Sequence, residues 1–347
     1  MTSPVSSRLS PDGGAVIIID QTLLPGEVKL LTLNTAEEMY EAIYTLRVRG
    51  APALGVFAGY AMAALCKKSG LEGKALTEFA AKTAEYLSSS RPTAVNLSYM
   101  ANRMAEKAAS LEALPAHDAA EALRAEAEAI FDEDVAICRA IGENGLTLIK
   151  DGCTVMTYCN AGPLATSKYG TALSPLMLGM ERGMRFKAYC CETRPLLQGA
   201  RLTTWELFNA GAEVNVVCDN MAASLMSAGK IDAVFVGCDR VAKNGDAANK
   251  IGTHGLAIIA KRFGVPFYVF CPSTTVDLKC ESGSDIVIEN RPGEEIGSLY
   301  FEKPVTPKGV GFYNPSFDVT PGELISAIVT EKGVFRYPYD MERIYDK

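Results

Sequence analysis

The spacing of apolar positions changes character near residue 150 of this 347-residue chain. Before that point apolar residues recur at helical intervals; after it, short apolar runs alternate with helical segments. In the first part, residues 13–33 read as short strands, with Val16–Ile19 the clearest run. Thr35 and Glu38 have the spacing of a capping box, in which each side chain serves the other's backbone amide. They open an amphipathic helix with Met39, Ile43 and Leu46 on one face. Helical patterns follow near 52–66, 75–88 and 96–110, and residues 118–149 make one or two longer helices rich in Ala and Glu. Residues 51–66 carry no charge but include Pro52, Gly55 and Gly59. The run is short for a membrane span and predicts a buried helix instead.

In the second part, strand-like runs at Thr154–Tyr158, 186–190, Glu213–Val217, Ala233–Val236 and 266–270 are separated by helix-like segments at 169–183, 201–210, 219–229 and 249–263. Strict alternation predicts right-handed crossovers and a parallel sheet. The tail from Ile286 is rich in Pro, Gly and aromatics; it is expected to return across the sheet and to end in a helix near 322–331. The fold class is therefore α/β, with a smaller, mostly helical domain over 1–125 and a larger sheet domain over 126–347. No Gly-x-Gly-x-x-Gly follows the first strand of the sheet domain, so the dinucleotide fingerprint is missing.

Composition narrows the function classes. At 48% hydrophobic and 22% charged the chain is an ordinary globular sequence with ample core. A net charge of −7 argues against a general nucleic-acid binder but leaves room for a local phosphate pocket. No basic segment followed by a long apolar run opens the chain, so neither a signal peptide nor a membrane anchor is expected. The ten cysteines are then expected to be reduced thiols of a cytoplasmic protein. With two His and no Cys-x-x-Cys pair, no metal and no cofactor is expected. Most of the cysteines read as small buried hydrophobes, although Cys159, Cys190, Cys191, Cys218, Cys238 and Cys271 sit at or just after predicted strand ends.

Ligands of open α/β sheets bind at the carboxyl ends of the strands, and the polar segments of this chain gather there. After Ala233–Val236 comes a long polar loop. In it, Asp239 stands two residues beyond the strand and is expected to be partly buried; Asn249 and Lys250 lie farther on. After Thr154–Tyr158 comes Cys159-Asn160-Ala161-Gly162, a turn that can approach a ligand closely, beside the predicted start of the next helix, where a thiol gains reactivity. After the second strand come Arg194 and Gln198, which can bind a sugar hydroxyl or a phosphate; a structural Glu192–Arg194 pair is the alternative. Arg49-Gly50-Ala51 precedes the buried helix, whose first amides and dipole favour an anion, and Arg91 occupies a second loop between helices. Each of these is weak by itself. Together, a thiol, a carboxylate and phosphate-binding cations suit hydrogen shuffling on a small phosphorylated polyol without a cofactor.

Five segments carry a family resemblance: Arg-Gly-Ala-Pro-Ala at 49–53, Ser-Arg-Pro-Thr-Ala-Val-Asn-Leu at 90–97, Cys-Asn-Ala-Gly at 159–162, Glu-Thr-Arg-Pro-Leu-Leu-Gln-Gly-Ala-Arg-Leu-Thr at 192–203 and Gly-Cys-Asp-Arg-Val-Ala-Lys-Asn-Gly-Asp at 237–246. In combination they resemble the S-methyl-5-thioribose-1-phosphate isomerases of methionine salvage. The wider superfamily also holds ribose-1,5-bisphosphate isomerases and regulatory subunits of a translation-initiation exchange factor, so fold alone does not decide function. The resemblance implies a helical N-terminal domain with a Rossmann-like C-terminal domain, a homodimer, and an aldose–ketose isomerisation. It implies Cys159 and Asp239 as catalytic residues, and Arg49, Gly50, Ala51, Arg91, Gln198, Asn249 and Lys250 as contacts to sugar and phosphate. Arg49, Arg91 and the loop from Asn249 are expected to converge on the phosphate, with the helical domain as a lid. Hydrogen can travel as a proton through an enediol or as a hydride; both routes stay open. So do two rivals: isomerisation of 5-deoxyribose 1-phosphate or ribose 1,5-bisphosphate, and a non-enzymatic regulatory subunit.

Overall fold

A computed structural model describes residues 5–92 and 94–344. Thr93, part of the Ser-Arg-Pro-Thr segment, lies outside the described residues. The chain divides into two compact units, one of residues 5–136 with 162–170, the other of residues 137–161 with 171–344.

The first unit begins with a three-stranded antiparallel sheet of β1 (Ser7–Leu9), β2 (Val16–Ile19) and β3 (Leu30–Leu33). Helix α1 (Ala36–Tyr44) starts as its sequence requires, with Thr35 and Glu38 forming both capping-box hydrogen bonds and Met39 and Ile43 buried. Leu46 falls beyond the helix end, in the left-handed region at φ 65°. Helix α2 (Ala51–Ser69) is buried without interruption from Ala53 to Cys66. A helix apolar on every face can only be stable as a core element, and α3 (Gly73–Ser89) and α4 (Val95–Ser110) pack on it and on each other. Residues 118–149, expected as one or two helices, form a single helix, α5 (Ala116–Leu146).

The second unit is built on a seven-stranded sheet. Its elements are β4 (Thr154–Tyr158), α6 (Ser174–Glu181), β5 (Lys187–Cys191), α7 (Thr204–Ala210), β6 (Glu213–Val217), α8 (Ala222–Ser227), β7 (Ala233–Val236), β8 (Arg240–Ala242), β9 (Ala247–Lys250), α9 (Thr253–Phe263), β10 (Phe267–Phe270), β11 (Val276–Asp277), α10 (Glu294–Gly297), β12 (Phe317–Thr320), β13 (Ala327–Thr330) and β14 (Gly333–Phe335). The sheet order is β14-β13-β10-β7-β4-β5-β6, parallel throughout except for the hairpin partner β14. From β4 the chain steps outward through β5 to β6. It then returns to the opposite side of β4 at β7 and continues outward through β10 and β13. The direction of winding therefore reverses between β4 and β7, and in open parallel sheets that reversal opens a crevice at the strands' carboxyl ends.

Two expectations are overturned here. Residues 322–331 do not form a helix but a short turn followed by β13. The run Ile325–Val329 holds β-branched residues that fit a buried strand, and Ser326 enters the sheet by donating its amide to the Phe267 carbonyl at 2.8 Å. The segment after Ala233–Val236 is not a plain loop leading into a helix at 249. Residues 240–250 form the hairpin β8–β9 inside a small four-stranded sheet of order β11-β8-β9-β12, and α9 begins only at Thr253. Asp246 locks that hairpin, its carboxylate accepting the amides of Gly283 at 3.0 Å and Gly322 at 2.9 Å.

Candidate active site

Strands β4 and β7 are direct neighbours, with Tyr158 opposite Val236 in the register. Cys159 therefore leaves the sheet one residue after that pair and Asp239 three residues after it. The Asp239 amide donates to the Ala248 carbonyl at 2.9 Å, which fixes its main chain against β9 and beside Asn249 and Lys250. Asp239 is exposed, not partly buried as expected.

Cys159 is half-buried and adopts φ 63°, a conformation rare for a residue with a Cβ. Its amide donates to Thr193 Oγ1 at 2.8 Å, and its carbonyl accepts from Thr203 Oγ1 at 2.6 Å. The expectation that it adjoins a helix start is not met. The next α-helix, α6, begins at Ser174, and only a short 3₁₀ turn at Pro163–Ala165 comes between. Pro163 and the Gly162 before it divert the chain too soon for a helix to form at Asn160. Other thiols near the strand ends are poor chemical candidates. Burial pushes the Cys190 thiol up to about 12 and those of Cys191, Cys238 and Cys271 upward as well. Cys238 further donates to the carbonyls of Arg240 and Ala248, at 3.0 and 3.3 Å.

Lys250 is buried at the end of β9, its ammonium 4.9 Å from the centre of the Phe317 ring. Burial pushes its pKa down, and Arg291 adds to that push; electrostatic interactions with Cys159, Asp239 and Glu295 oppose it. The lysine thus lies within electrostatic reach of both proposed catalytic groups. Asn249, also buried, donates through Nδ2 to Thr253 Oγ1 at 3.0 Å. The first amides of α9 already have an anion: Asp318, on β12, accepts from Gly252 at 2.7 Å and His254 at 3.1 Å.

Gln198 lies in the loop after β5 and is buried, yet its Oε1 meets no hydrogen-bond partner among the described residues. A buried amide oxygen in that state is costly, and a ligand hydroxyl would satisfy it. Arg194 is different. Its guanidinium donates to the carbonyls of Pro195 and Ile296, at 3.0 and 2.7 Å, and sits 5.4 Å from the centre of the Phe301 ring. It ties two loops together, and these contacts, not a pairing with Glu192, are what hold its guanidinium.

Arg49, Gly50, Ala51 and Arg91 belong to the first unit. Gly50 caps α2 at φ 98°, and a Cβ there would fall 2.6 Å from the Ala165 Cα, so no other residue fits. Arg47 braces the turn through ion pairs with Asp20 and Glu41. Arg91 is held in the α3–α4 connection, its amide donating to Ser88 and its carbonyl accepting from Ala94 at 2.9 Å. Both Arg49 and Arg91 are half-buried.

Sequence reasoning assigned no role to Thr193, Thr203, Asp219 or Glu206. Thr193 and Thr203 stand inside the motif at 192–203, but only the backbone angles reveal their task. Among the described residues no group of three or more His, Cys, Asp or Glu is placed to hold a metal ion, and no helix is long and apolar enough to cross a membrane.

Residues 47–337 match the model of the initiation factor 2 subunit family. A methylthioribose-1-phosphate isomerase of Symbiobacterium thermophilum is 52% identical, over 95% of this chain and 92% of that protein. A 5-deoxyribose 1-phosphate isomerase of Clostridium botulinum is 49% identical, over 96% of each. The crystal structure of 5-methylthioribose 1-phosphate isomerase from Pyrococcus horikoshii superposes with a TM-score of 0.92 at 37% identity, over 99% of this chain and 97% of that one. With a family model spanning most of its length and relatives near half identity, the chain belongs to the initiation factor 2 subunit family.

Proposed function

We propose that the chain is an aldose–ketose isomerase converting S-methyl-5-thio-α-D-ribose 1-phosphate into S-methyl-5-thio-D-ribulose 1-phosphate. The observation that carries this reading is the placement of Cys159 and Asp239 on loops leaving adjacent parallel strands, where the winding reverses, with buried Lys250 within electrostatic reach of both. The names of the relatives at 52% identity support the same substrate.

The substrate's anomeric oxygen is esterified, so its ring does not open spontaneously to an aldehyde. Conversion requires four changes: the bond from C1 to the ring oxygen breaks, that oxygen gains a proton, the C2 hydroxyl loses one, and the C2 hydrogen moves to C1. Asp239, exposed at the strand end, relays the proton between the C2 hydroxyl and the ring oxygen. Cys159 faces the reacting carbons, either as the partner acid and base or as the group that stabilises them. Turnover in D₂O tests the routes: deuterium incorporated at C1 marks proton transfer through an enediol. Gln198 takes a sugar hydroxyl on its unpartnered Oε1, Asn249 and Lys250 contact the ligand from β9, and Arg49, Gly50, Ala51 and Arg91 hold the phosphate through charge-assisted bonds.

Product analysis on a panel of pentose 1-phosphates tests the proposal. Conversion of the methylthio sugar with the highest kcat/KM supports it, and no ketose from any member refutes it. A preference for 5-deoxyribose 1-phosphate would favour the second reading, which the relatives at 49% identity bearing that name keep open. The phosphate role of Arg91 has its own test. Arg91→Ala is expected to raise KM and also lower kcat, because phosphate binding energy helps to position the reacting carbons. A substrate lacking the phosphate should be almost indifferent to the change. Equal weakening of both substrates would remove Arg91 from the phosphate.

A further inference from the structure

Cys159 is held by more hydrogen-bonding machinery than a strand end requires. The Thr193 hydroxyl donates its proton to the Cys191 carbonyl at 3.0 Å, which leaves its lone pairs to receive the Cys159 amide. Thr203, on a π-helical turn at Gly199–Thr203 that leads into α7, donates to the Cys159 carbonyl and accepts from Asn160 Nδ2 at 3.1 Å. That same Asn160 amide also donates to the buried carboxylate of Glu206. Both threonines have no exposed surface. Thr193 is itself in the left-handed region, at φ 66°, where the Asp219 carboxylate receives its amide and that of Arg194, each at 2.8 Å. A Cβ on Gly199 would fall 1.8 Å from the Cys191 carbonyl oxygen and 2.9 Å from Thr193 Oγ1, so the approach of these two segments is available to glycine alone. The amide and the carbonyl of a single unfavourable residue are thus gripped from two elements, with Asp219 anchoring Thr193 directly and Glu206 holding the Asn160 amide that bonds to Thr203.

We propose that Thr193 and Thr203 are positioning residues for the Cys159 thiol: their hydroxyls hold the Cys159 main chain in its left-handed conformation and so aim Sγ at the substrate. This rests on the reading of Cys159 as catalytic. The side-chain direction follows from the backbone angles, and releasing either grip lets the residue relax toward an ordinary conformation that points Sγ elsewhere. A misplacement of about 1 Å costs on the order of 10²-fold in rate.

The test replaces each hydroxyl by a methyl group of the same shape, Thr193→Val and Thr203→Val, and compares them with Thr193→Ser and Thr203→Ser, which keep the hydroxyl. Steady-state kinetics are read beside iodoacetamide labelling of Cys159, followed by peptide mass analysis with exposed Cys218 as the internal reference. The Val variants should lose kcat by at least about tenfold with little change in KM, and the Cys159-to-Cys218 labelling ratio should shift, whereas the Ser variants should restore both readouts. Folded Val variants with unchanged kcat and labelling ratio, or Ser variants no better than Val, overturn the proposal. Where a Val variant does not fold, Asp219→Asn takes its place. It leaves both hydroxyls intact and weakens the anchor of Thr193; because Asp219 also acts on the neighbouring Cys218 thiol, Cys159 labelling is here referenced to total protein, and a fall in kcat at constant KM with altered Cys159 labelling supports the clamp, whereas no change in either overturns it. Near-normal turnover by Cys159→Ser would sink the catalytic reading instead. The labelling ratio would still decide whether the two threonines position the thiol.

Discussion

Asp239→Asn is expected to lower kcat by about 10²–10⁴-fold, the range for losing a positioned acid or base, while leaving the fold intact. The substitution keeps the side chain's shape and removes its capacity to take up and release a proton. Because Asp239 is exposed and its main chain is fixed by the bond to Ala248, little packing is at stake. Surface changes of this kind usually move stability by no more than about 0.5 kcal/mol. Thermal melts together with rate assays provide the check. A large loss of turnover with an unchanged melting temperature assigns Asp239 to the proton relay; turnover close to that of the parent removes it.

Cys159→Ser is expected to produce a loss of similar order, again with an intact fold. Serine preserves the main-chain grip of Thr193 and Thr203, so the turn should survive. Its hydroxyl is far less acidic than a thiol and more weakly polarizable, so neither proton exchange nor stabilisation of the reacting carbons carries over. The comparison with Cys238→Ser sharpens the result. Cys238 follows the neighbouring strand, but its thiol is turned into the hairpin toward the carbonyls of Arg240 and Ala248. That variant should keep most of its turnover. Were the two variants equally impaired, the loss would reflect the strand ends in general and not the chemistry of Cys159.

The seven-stranded sheet was largely legible because buried parallel strands leave near-continuous apolar runs, as at Ala233–Val236 and Thr154–Tyr158. The capping box of Thr35 and Glu38 was legible for a different reason: both partners lie within four residues. What escaped depends on pairing at a distance. Strand β9 is short and ends in Asn249 and Lys250; its strand character comes from β8 on one side and from β12, nearly seventy residues later, on the other. The structural contacts of Arg194 were illegible because Ile296 and Phe301, which engage it, are about a hundred residues away. That Cys159 and Asp239 follow the ends of two strands was legible, but the left-handed backbone of Cys159 and the two threonines behind it have no sequence signature.

The buried Lys250 ties the stability of the protein to proton binding. Its pKa in the folded chain lies below the value of about 10.5 expected once unfolded. Below the folded value both states carry the charge and the folded state bears the full burial penalty. As pH rises through that value toward 10.5, the unfolded chain holds more protons than the folded one, so this residue's penalty is progressively relieved and stability gains with pH. An arriving phosphate dianion would act in the opposite direction, favouring the ammonium and drawing a proton onto the lysine wherever it was not already charged. An empty pocket would then be the state in which the fold tolerates this charge least.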